Sequence, residues 1–595
     1  MEYFSSIASL HEAYKSKKVE VSAFLKQCLK SIRDDEHNAW ISVITDKQLF
    51  AYLENLSKKD KSLPLWGVPF AVKDNIDLFG LDTTAACKEY AYTPSENAYA
   101  VELLIKAGAI PLGKTNLDQF ATGLVGVRSP YGACKNSIKP EYVSGGSSSG
   151  SAVSVAVGQV MFSLGTDTAG SGRVPAAFNN ILGLKGTCGR VSTTGVVPAC
   201  KSLDCLTVFA NNTDDLSKVF SVISNFDKTD CYARQSPATP YGFKENFVFG
   251  VPKDTELEFF HDDEAKQLFY KAVDNLIEIG GKAKQISLKQ FLDAAKLLYE
   301  GSFVAERLSG NKDFFDTQID DCLPVIKTII GNSAKFSAAD AYSNNYKLME
   351  LKRIAYQELE GTDFVITPTT GTIYKIKDVE HNPIELNSNL GYYTNFMNLL
   401  DFCAIALPAG FRKIGDKKGL PFGVTLFSKA FNDEALLALA ARYTNYCKYP
   451  IGANKLEYTE QQVNTLTDSQ MQIVVCGAHL EGLPLNYQLT QLGAMLYKKT
   501  RTSAHYKMYK LEGEVVKPGL VRSENSGFDF EVEVYKIPKE RVGDFLSLIP
   551  YPLGLGKVEL SDGSFQTGFV CEGEAIKNAE DISSFGSFKS YLKSL

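Results

Sequence analysis

Long apolar segments are missing from this 595-residue sequence. No run approaches the roughly 20 apolar residues that a helix needs to span a bilayer. The first five residues have neither the basic start nor the apolar core of a signal peptide. We therefore expect a cytoplasmic protein that does not insert into a membrane.

The sequence also lacks an excess of basic residues. Lys and Arg together number 63 against 69 Asp and Glu, which gives a formal net charge of −6. The short cluster Lys498-Lys499-Thr500-Arg501 is more typical of a solvated face than of a binding patch. This balance argues against a surface that binds nucleic acid.

Histidine is scarce, and the cysteines show no paired spacing. The chain has six histidines and twelve cysteines. A protein of this size can build a core without disulfides, so we expect reduced cysteines. Cys476 and His479 offer two zinc ligands, but a structural zinc site needs four and the sequence provides no second half. We expect neither a metal nor another cofactor.

What the sequence does contain is a pair of Gly/Ser turns around one short apolar helix. The turns lie at 145–151 and 165–173. Glycines let backbone N–H groups approach a ligand closely, and hydroxyls can act as nucleophiles or relay protons. Such a composition alone is typical of a flexible linker, but the flanking stretches 151–164 and 174–184 are apolar enough to belong inside a folded domain. We therefore expect the chemistry to lie in this region.

Three ordered segments resemble the amidase signature family of serine hydrolases. They are Gly67-Val68-Pro69-Phe70-Ala71-Val72-Lys73-Asp74, Gly145-Gly146-Ser147-Ser148, and the run from Gly165-Thr166-Asp167 to Gly183-Leu184-Lys185. Three such motifs in this order are far more specific than a single glycine pattern. The resemblance covers residues 1–460 and implies an α/β/α sandwich around a large mixed sheet.

This resemblance assigns roles to individual residues. Ser171 is the nucleophile, Ser147 is the bridging serine, and Lys73 is the base of a triad that works without histidine. The resemblance also places an oxyanion hole on four backbone N–H groups, those of Thr168, Ala169, Gly170 and Ser171.

The assigned chemistry agrees with elementary principles. A serine hydroxyl attacks only when a neighbouring group takes its proton, and a lysine can do so only when it is neutral. Because the reference lysine pKa is about 10.4, Lys73 must be buried to act near neutrality, and its apolar segment favours burial. Ser147, which the family holds through a cis peptide to Gly146, would relay the proton to and from Ser171. Each residue alone is typical of a surface lysine or a turn serine, but the set indicates catalysis.

Helices and strands alternate along the first 450 residues, which predicts an α/β fold. Two amphipathic helices are predicted within residues 1–35, followed by the strand that carries Lys73 and a helix and strand over 100–113. The later predicted elements are strands at 247–252 and 363–368, helices at 262–280 and 433–447, and sheet segments at 407–410 and 420–424.

Residues 297–307 resemble the corresponding segment of the allophanate hydrolase subgroup of this family. In that subgroup the matching tyrosine and arginine bind the carboxylate of the substrate, which implies this role for Tyr299 and Arg307. A guanidinium fork with a phenol suits a small carboxylate. From spacing alone, Arg307 is more typical of an ion pair with Glu306 or Glu300. An ideal helix would place Tyr299 and Arg307 about 80° apart, which permits convergence without requiring it.

A second domain is predicted after a polar segment. Residues 448–470 predict a linker, so we expect domains at 1–460 and 471–595. Such a second domain is long enough to fold as a small α+β unit. Its predicted elements are a strand at 471–476, an amphipathic helix at 489–497, an alternating strand at 528–535, and a hairpin around Asp562-Gly563.

Residues 477–486 and 500–506 resemble the carboxy-terminal domain of allophanate hydrolases, a relative of the γ-glutamyl cyclotransferase barrel. The resemblance implies that N-carboxycarbamate loses carbon dioxide in this domain, after the first domain has released ammonia. His479 is the candidate acid or base, and Arg501 is a candidate anion ligand. A histidine in a turn is as often structural, so both interpretations stay open.

The resemblance as a whole implies hydrolysis of allophanate (urea-1-carboxylate) to ammonia and carbon dioxide in urea utilisation. The chain has no biotin-carrier Met-Lys-Met motif, so a biotin-dependent urea carboxylase, separate or fused, is expected to supply the substrate. The family also implies a homodimer. Two alternatives are an amidase of different specificity, such as a glutaminase subunit serving a tRNA-bound amino acid, and an inactive amidase fold kept for binding.

Overall fold

The protein's structure, a computed structural model, describes residues 3–236, 246–461, 470–513 and 515–595. These residues divide into two units. The first unit holds the residues up to 235 and those from 246 to 461, and the second holds the remainder. Among the described residues, no helix combines the length and the apolar character needed to cross a bilayer.

The first unit is built on one mixed sheet of eleven strands. The strands are β1 (Trp40–Val43), β2 (Pro69–Lys73), β3 (Ile110–Thr115), β4 (Phe162–Asp167), β5 (Leu182–Lys185), β6 (Cys205–Ala210), β7 (Phe247–Pro252), β8 (Gly281–Ile286), β9 (Phe364–Pro368), β10 (Phe402–Phe411) and β11 (Pro421–Lys429). Their spatial order is β1-β3-β2-β4-β6-β5-β10-β11-β9-β7-β8. Most central strands are buried along their whole length, as their apolar composition predicts. The expected α/β fold with a large mixed sheet is confirmed.

Helices connect and cover these strands. They are α1 (Ile7–Lys15), α2 (Val21–Arg33), α3 (Asp46–Ser57), α4 (Tyr99–Lys106), α5 (Ser149–Ala156), α6 (Val174–Phe178), α7 (Thr213–Ile223), α8 (Asp263–Glu278), α9 (Lys289–Lys296), α10 (Phe303–Gly310), α11 (Lys312–Gln318), α12 (Pro324–Gly331), α13 (Ala338–Glu358), α14 (Ile376–His381), α15 (Glu385–Leu390), α16 (Phe396–Leu399) and α17 (Asp433–Cys447). The amphipathic patterns that predicted α1, α2 and α8 are confirmed, and so is the helix predicted over 433–447, which is α17. One buried apolar cluster joins α9, α13 and α16 to β9, β10 and β11.

Two neighbouring parallel strands bring the sequence motifs together. β2 pairs in parallel with β4, so the carboxyl ends of both strands lie at the same edge of the sheet. β2 ends at Lys73, and β4 ends at Asp167. The first Gly/Ser turn leads into α5, which contacts both strands, and the second turn leaves β4 directly. The fold thus gathers three segments that are far apart in sequence.

The second unit is a small α+β structure. Its strands are β12 (Gln470–Val475), β13 (Met495–Arg501), β14 (Tyr506–Leu511), β15 (Lys517–Arg522), β16 (Glu531–Pro538), β17 (Leu553–Glu559) and β18 (Phe565–Cys571), and its helices are α18 (Asn486–Thr490), α19 (Val542–Ser547) and α20 (Phe588–Ser594). Five strands form a sheet in the order β13-β16-β12-β18-β17, and β14 pairs with β15. The hairpin predicted around Asp562-Gly563 is the β17–β18 pair.

Two predictions for this region were wrong. The helix predicted over 489–497 ends early, because Gly493 adopts a left-handed φ of 75° and the N–H of Ala494 turns back to the carbonyl of Leu489. The chain then enters β13, which pairs with β16. The linker predicted over 448–470 is ordered up to residue 461, since Gly452 donates to the Asn180 carbonyl of the first unit. Residues 462–469 lie outside the described residues.

The left-handed turn at Gly493 generates a stability prediction. An alanine there must adopt a conformation that costs about 1–2 kcal/mol, so Gly493→Ala should lower the free energy of unfolding of the second unit by that amount. Gly543→Ala is the control, because Gly543 lies inside α19 with open space around it and alanine should be neutral or stabilising there. Urea unfolding followed by far-UV circular dichroism measures both. Equal stability of the two variants would contradict the assignment of this turn.

Candidate active site

Lys73 lies at the end of β2 with its side chain fully buried. Its Nζ donates to Ser147 Oγ at 2.8 Å and to Thr166 Oγ1 at 2.7 Å. Thr166 belongs to the adjacent strand β4, so the pairing of the two strands fixes one of these acceptors. The amine is therefore held between two hydroxyl groups rather than beside a carboxylate.

Ser147 sits in a turn that a neighbouring loop holds in place. The peptide between Gly146 and Ser147 is cis, as expected. The Ser147 carbonyl accepts from the N–H of Asp118 at 3.1 Å. A Cβ at Gly146 would lie 2.0 Å from Asp118 Oδ2, so the two loops approach too closely for any side chain at this position.

Ser171 lies on a turn that is organised by one buried ion pair. Asp167 and Arg173 form a two-pronged salt bridge with both side chains fully buried, at 2.9 Å for each prong. The Asp167 carboxylate also accepts from the N–H groups of Gly170 and Gly172, at 2.8 and 2.9 Å. Burial acts to raise the pKa of Asp167, but the charge and hydrogen bonds of Arg173, the Lys185 charge and the Gly172 N–H together outweigh it, and the pKa is lowered. This carboxylate therefore stays ionised and shapes the turn on both sides of Ser171.

The three predicted triad side chains form one continuous hydrogen-bonded chain. Lys73 Nζ donates to Ser147 Oγ, and Ser147 Oγ in turn donates to Ser171 Oγ at 2.9 Å. All three side chains are buried, with Ser171 3% exposed. The geometry permits a proton to move between Lys73 and Ser171 through Ser147.

Three of the four predicted oxyanion donors remain available. The N–H of Gly170 is engaged by Asp167, so it does not serve this purpose in the observed conformation. Within the described part of the chain, the N–H groups of Thr168, Ala169 and Ser171 donate to no hydrogen-bond acceptor. Thr168 is held by its side chain, whose hydroxyl donates to the buried carboxylate of Asp204.

Burial has a strong effect on the ionisation of Lys73. It lowers the pKa of this amine to about 7, although the negative charges of Asp118, Asp204 and Asp167 oppose the shift. A group with such a pKa is partly neutral at neutral pH, which is the form that can accept a proton. The requirement deduced from the sequence is therefore met by the environment of β2.

Tyr299 and Arg307 converge as the sequence permitted, although by a different route. They do not share a helix, because α9 ends at Lys296 and α10 begins at Phe303. The bend between the helices brings the Tyr299 hydroxyl to 3.0 Å from Arg307 Nη2, and the guanidinium lies 5.0 Å from the tyrosine ring centre. Arg307 Nη1 also donates to Thr122 Oγ1 at 3.0 Å.

The ion pair considered for Arg307 is not formed. Glu306 instead accepts from the N–H and hydroxyl of Ser202, at 2.7 and 2.8 Å, which docks α10 onto the loop before β6. Among the described residues, no carboxylate lies within 4.0 Å of the Arg307 guanidinium. Arg307 is nevertheless 2% exposed. A buried guanidinium without a carboxylate in contact is a candidate binding site for an anionic ligand.

The sequence did not single out Thr122 or Arg128, which complete this region. Arg128 is buried, and its Nη1 donates to the Thr122 carbonyl at 2.9 Å. Both residues lie on the loop that begins at Asp118, whose N–H holds the Ser147 carbonyl. One loop thus connects the triad to Arg307. The available signal was a charged residue in an otherwise apolar, glycine-rich stretch, 119–132.

In the second unit, His479 lies on a small cavity. Its ring stacks on Phe569 with centres 5.0 Å apart, and its Nε2 pairs with Gln488 Oε1 at 2.9 Å. Burial lowers the pKa of His479, and the Lys517 charge adds to this effect while Gln488 opposes it. The imidazole is therefore mainly neutral at neutral pH. With Gln488 Oε1 as acceptor, Nε2 carries the proton and Nδ1 keeps a lone pair.

The cation on this cavity is not the one predicted. Arg501 is paired with Asp529 and Glu531 on the exposed edge of the sheet and does not line the cavity. Lys517 lines it together with His479, Phe569 and mainly apolar residues. In the described parts of the chain, no group of three or more His, Cys, Asp or Glu side chains is placed to hold a metal ion.

Comparison with known families identifies the class of protein. Residues 21–437 match the family described as Amidase, so the chain belongs to this family of amidohydrolases. Residues 471–593 match the domain described as Allophanate hydrolase C-terminal domain. The resemblance drawn from the motifs is thereby confirmed for both parts of the chain.

Individual relatives agree with this family. Urea amidolyase of Saccharomyces cerevisiae is 43% identical over 594 residues, covering 95% of this chain and 32% of that protein. The solved structure of allophanate hydrolase from Kluyveromyces lactis is 41% identical with a TM-score of 0.82, covering 99% of each chain. A glutamyl-tRNA(Gln) amidotransferase component of Heliobacterium modesticaldum is 30% identical over 488 residues, covering 74% of this chain and 96% of that protein. The chain spans about a third of the length of the urea amidolyases it matches.

The burial of Lys73 generates a prediction for stability against pH. The pKa of Lys73 is about 7 in the folded protein and about 10.4 when unfolded. Between these values the unfolded chain binds a proton that the folded chain does not, so the free energy of unfolding rises with pH. Lys73→Met removes this contribution.

Urea unfolding of both proteins at several pH values from about 7 to about 10 measures the difference between them. The wild type should gain stability with pH relative to Lys73→Met, since all other titrating groups are shared. Parallel curves for the two proteins would refute the depressed pKa.

Proposed function

We propose that the chain hydrolyses the terminal amide of allophanate, a urea that carries a carboxylate, and that the second unit assists loss of carbon dioxide from the product. The observation that carries this proposal is the buried guanidinium of Arg307. It has no carboxylate partner among the described residues, and it contacts the loop that also holds Ser147. A carboxylate at one end of the substrate would supply the missing charge while the amide lies at the serines.

Ser171 is the nucleophile in this proposal. Lys73 in its neutral form takes the Ser147 proton as Ser147 takes the Ser171 proton, and the C–O bond to the amide carbon forms. The same path in reverse delivers a proton to the leaving nitrogen, and ammonia departs. Water then repeats the sequence on the acyl-enzyme and frees Ser171. The pKa of about 7 for Lys73 supports both directions at neutral pH.

In this proposal, the turn after β4 stabilises the negatively charged oxygen of the tetrahedral intermediate. The free N–H groups of Thr168, Ala169 and Ser171 are the proposed donors, and the bonds of Asp167 to Gly170 and Gly172 hold the turn in its shape. Fixed donors of this kind stabilise the transition state without reorganisation.

Hydrolysis of the amide converts allophanate into N-carboxycarbamate. The proposal assigns its decarboxylation to the cavity of the second unit, where the C–N bond breaks, carbon dioxide leaves, and the nitrogen takes up a proton relayed by His479. Lys517 supplies a cation on the same cavity. The match of residues 471–593 to the allophanate hydrolase C-terminal domain supports this assignment.

Further parts of the proposal concern the surroundings of the enzyme. A biotin-dependent urea carboxylase would supply the substrate, and about two thirds of each relative named urea amidolyase lies outside the matched part. The proposal also includes that this chain acts as a homodimer in the cytoplasm. The alternative of a glutaminase subunit is supported by the relative in Heliobacterium modesticaldum, but that match covers 74% of this chain.

The test of the first step is ammonia release from freshly prepared allophanate, compared with malonamate, glutamine and a neutral aryl amide. Ser171→Ala should lower the rate on allophanate by about 1000-fold or more, because the whole triad acts as one unit. Ser149→Ala is the matched control, since Ser149 is buried in the same motif and its hydroxyl donates to the Asn116 carbonyl rather than to a triad residue. Activity confined to glutamine would favour the glutaminase alternative.

Arg307→Met tests the substrate assignment separately. The ratio of kcat/KM on allophanate to kcat/KM on the neutral amide should fall by about 10 to 100-fold, as expected for one lost charged hydrogen bond. An unchanged ratio would remove the carboxylate assignment and leave the amidase assignment intact.

His479→Ala tests the second step. It should leave ammonia release by the first step in place while slowing carbon dioxide release, so that N-carboxycarbamate accumulates in 13C NMR spectra. His505→Ala is the matched control, because His505 belongs to the same unit but is exposed and lies away from the cavity. Equal carbon dioxide release by both variants would exclude His479 from the step.

A further inference from the structure

Two buried arginines in the first unit, Arg307 and Arg128, both donate hydrogen bonds to Thr122. Arg307 Nη1 donates to the Thr122 hydroxyl at 3.0 Å, and Arg128 Nη1 donates to the Thr122 carbonyl at 2.9 Å. Arg307 and Arg128 are 2% and 4% exposed. Thr122 therefore links two positive charges inside the protein.

Neither guanidinium is in salt-bridge contact with a carboxylate. In the part of the chain that the structure describes, no carboxylate lies within 4.0 Å of the Arg128 guanidinium, and the same holds for Arg307. The Nε atoms of both arginines are buried without a hydrogen-bond partner. Removing a charge from water without a compensating partner is strongly unfavourable, and two like charges increase the cost. An anion that enters this region would lower that cost.

Arg128 also fixes the loop on which Thr122 stands. Its N–H donates to Asp118 Oδ1 at 2.9 Å, and its carbonyl accepts from the N–H of Gln119 at 2.7 Å. Its Nη2 reaches across to the Pro383 carbonyl. The Thr122 hydroxyl donates to the Phe120 carbonyl, so its remaining lone pairs point to Arg307 as an acceptor. Arg128 therefore determines where the acceptor for Arg307 lies.

We propose that Arg128 is a positioning residue that sets the preference for a carboxylated substrate, acting through Thr122 on Arg307 and adding a second positive charge near the Arg307 guanidinium. The proposal rests on the proposed function, because it names the group that makes the amidase site selective for an anion. A loop arginine that served only folding would influence charged and neutral substrates equally. The ratio between the two substrates therefore separates the roles.

The first experiment compares kcat/KM on allophanate with kcat/KM on a neutral aryl amide in Arg128→Met and Arg128→Lys. In Arg128→Met the ratio should fall by about 10-fold, as expected for a lost charged hydrogen bond. Arg128→Lys keeps the charge and should restore part of the ratio. Arg190→Met is the matched control, because Arg190 also has a buried, unpartnered Nε but is paired with Glu434 at 2.8 Å. An Arg128→Met ratio equal to that of the control overturns the proposal.

Thr122 variants test the route of action. Thr122→Val removes the acceptor of Arg307 but keeps the carbonyl that Arg128 holds, whereas Thr122→Ser keeps both. Thr122→Val should lower the same ratio and Thr122→Ser should not. In the double variant Arg128→Met/Thr122→Val the ratio should fall by less than the product of the two single effects. A fully multiplicative double variant overturns action through Thr122.

A binding experiment on inactive full-length protein keeps this test apart from the proposed function. Malonamate and malonamide differ by one carboxylate, and their dissociation constants for Ser171→Ala can be measured by calorimetry. Ser171→Ala should prefer malonamate, and Ser171→Ala/Arg128→Met should lose about 10-fold of this preference. If the wild type fails to hydrolyse allophanate but this preference depends on Arg128, the proposed function falls and the anion pocket stands. Equal preference in both proteins overturns the role of Arg128.

Discussion

The burial of one lysine amine is the constraint on which the active site depends. Lys73 reaches a pKa of about 7 only because three nearby carboxylates fail to offset its desolvation. Each of them is occupied elsewhere. Asp118 accepts from backbone N–H groups, Asp167 from Arg173 and two glycine N–H groups, and Asp204 from Thr168 and the loop before β6. The same bonds that engage these carboxylates also fix the turns that carry Ser147 and Ser171.

The charges of the first unit are distributed unevenly along the proposed substrate. Near Ser147 and Ser171, the positive charge of Arg173 is paired with Asp167. The Lys73 amine, with a pKa of about 7, is partly neutral at neutral pH. At the opposite end Arg307 and Arg128 are cations without carboxylate partners among the described residues. These two guanidiniums therefore lie where the carboxylate of the proposed substrate would bind. Under the proposed function, the site would discriminate by the place of the charge rather than by net charge.

Periodicity and motif predicted most of the first unit. The apolar runs indicated β2, β7 and β9. The family motifs indicated Lys73 at the end of β2, Ser147 in the turn before α5 and Ser171 in the turn after β4. The sequence could not predict contacts between residues that are far apart in the chain and belong to no motif. Nothing local reveals that Arg128 meets Thr122 and Arg307, or that Lys517 faces His479. The helix predicted over 489–497 failed because the left-handed φ of Gly493 overrode an amphipathic pattern.

The uneven charge distribution also has a consequence for turnover under the proposed reaction. Hydrolysis creates a second carboxylate at the position of the former amide, so the product carries a negative charge at both ends. The new charge forms beside Lys73, which at a pKa of about 7 is partly neutral and offers less attraction than a fully charged lysine. The guanidinium end binds substrate and product alike and therefore cannot favour the product. A base that is neutral for catalysis thus also avoids retaining the anion that catalysis produces.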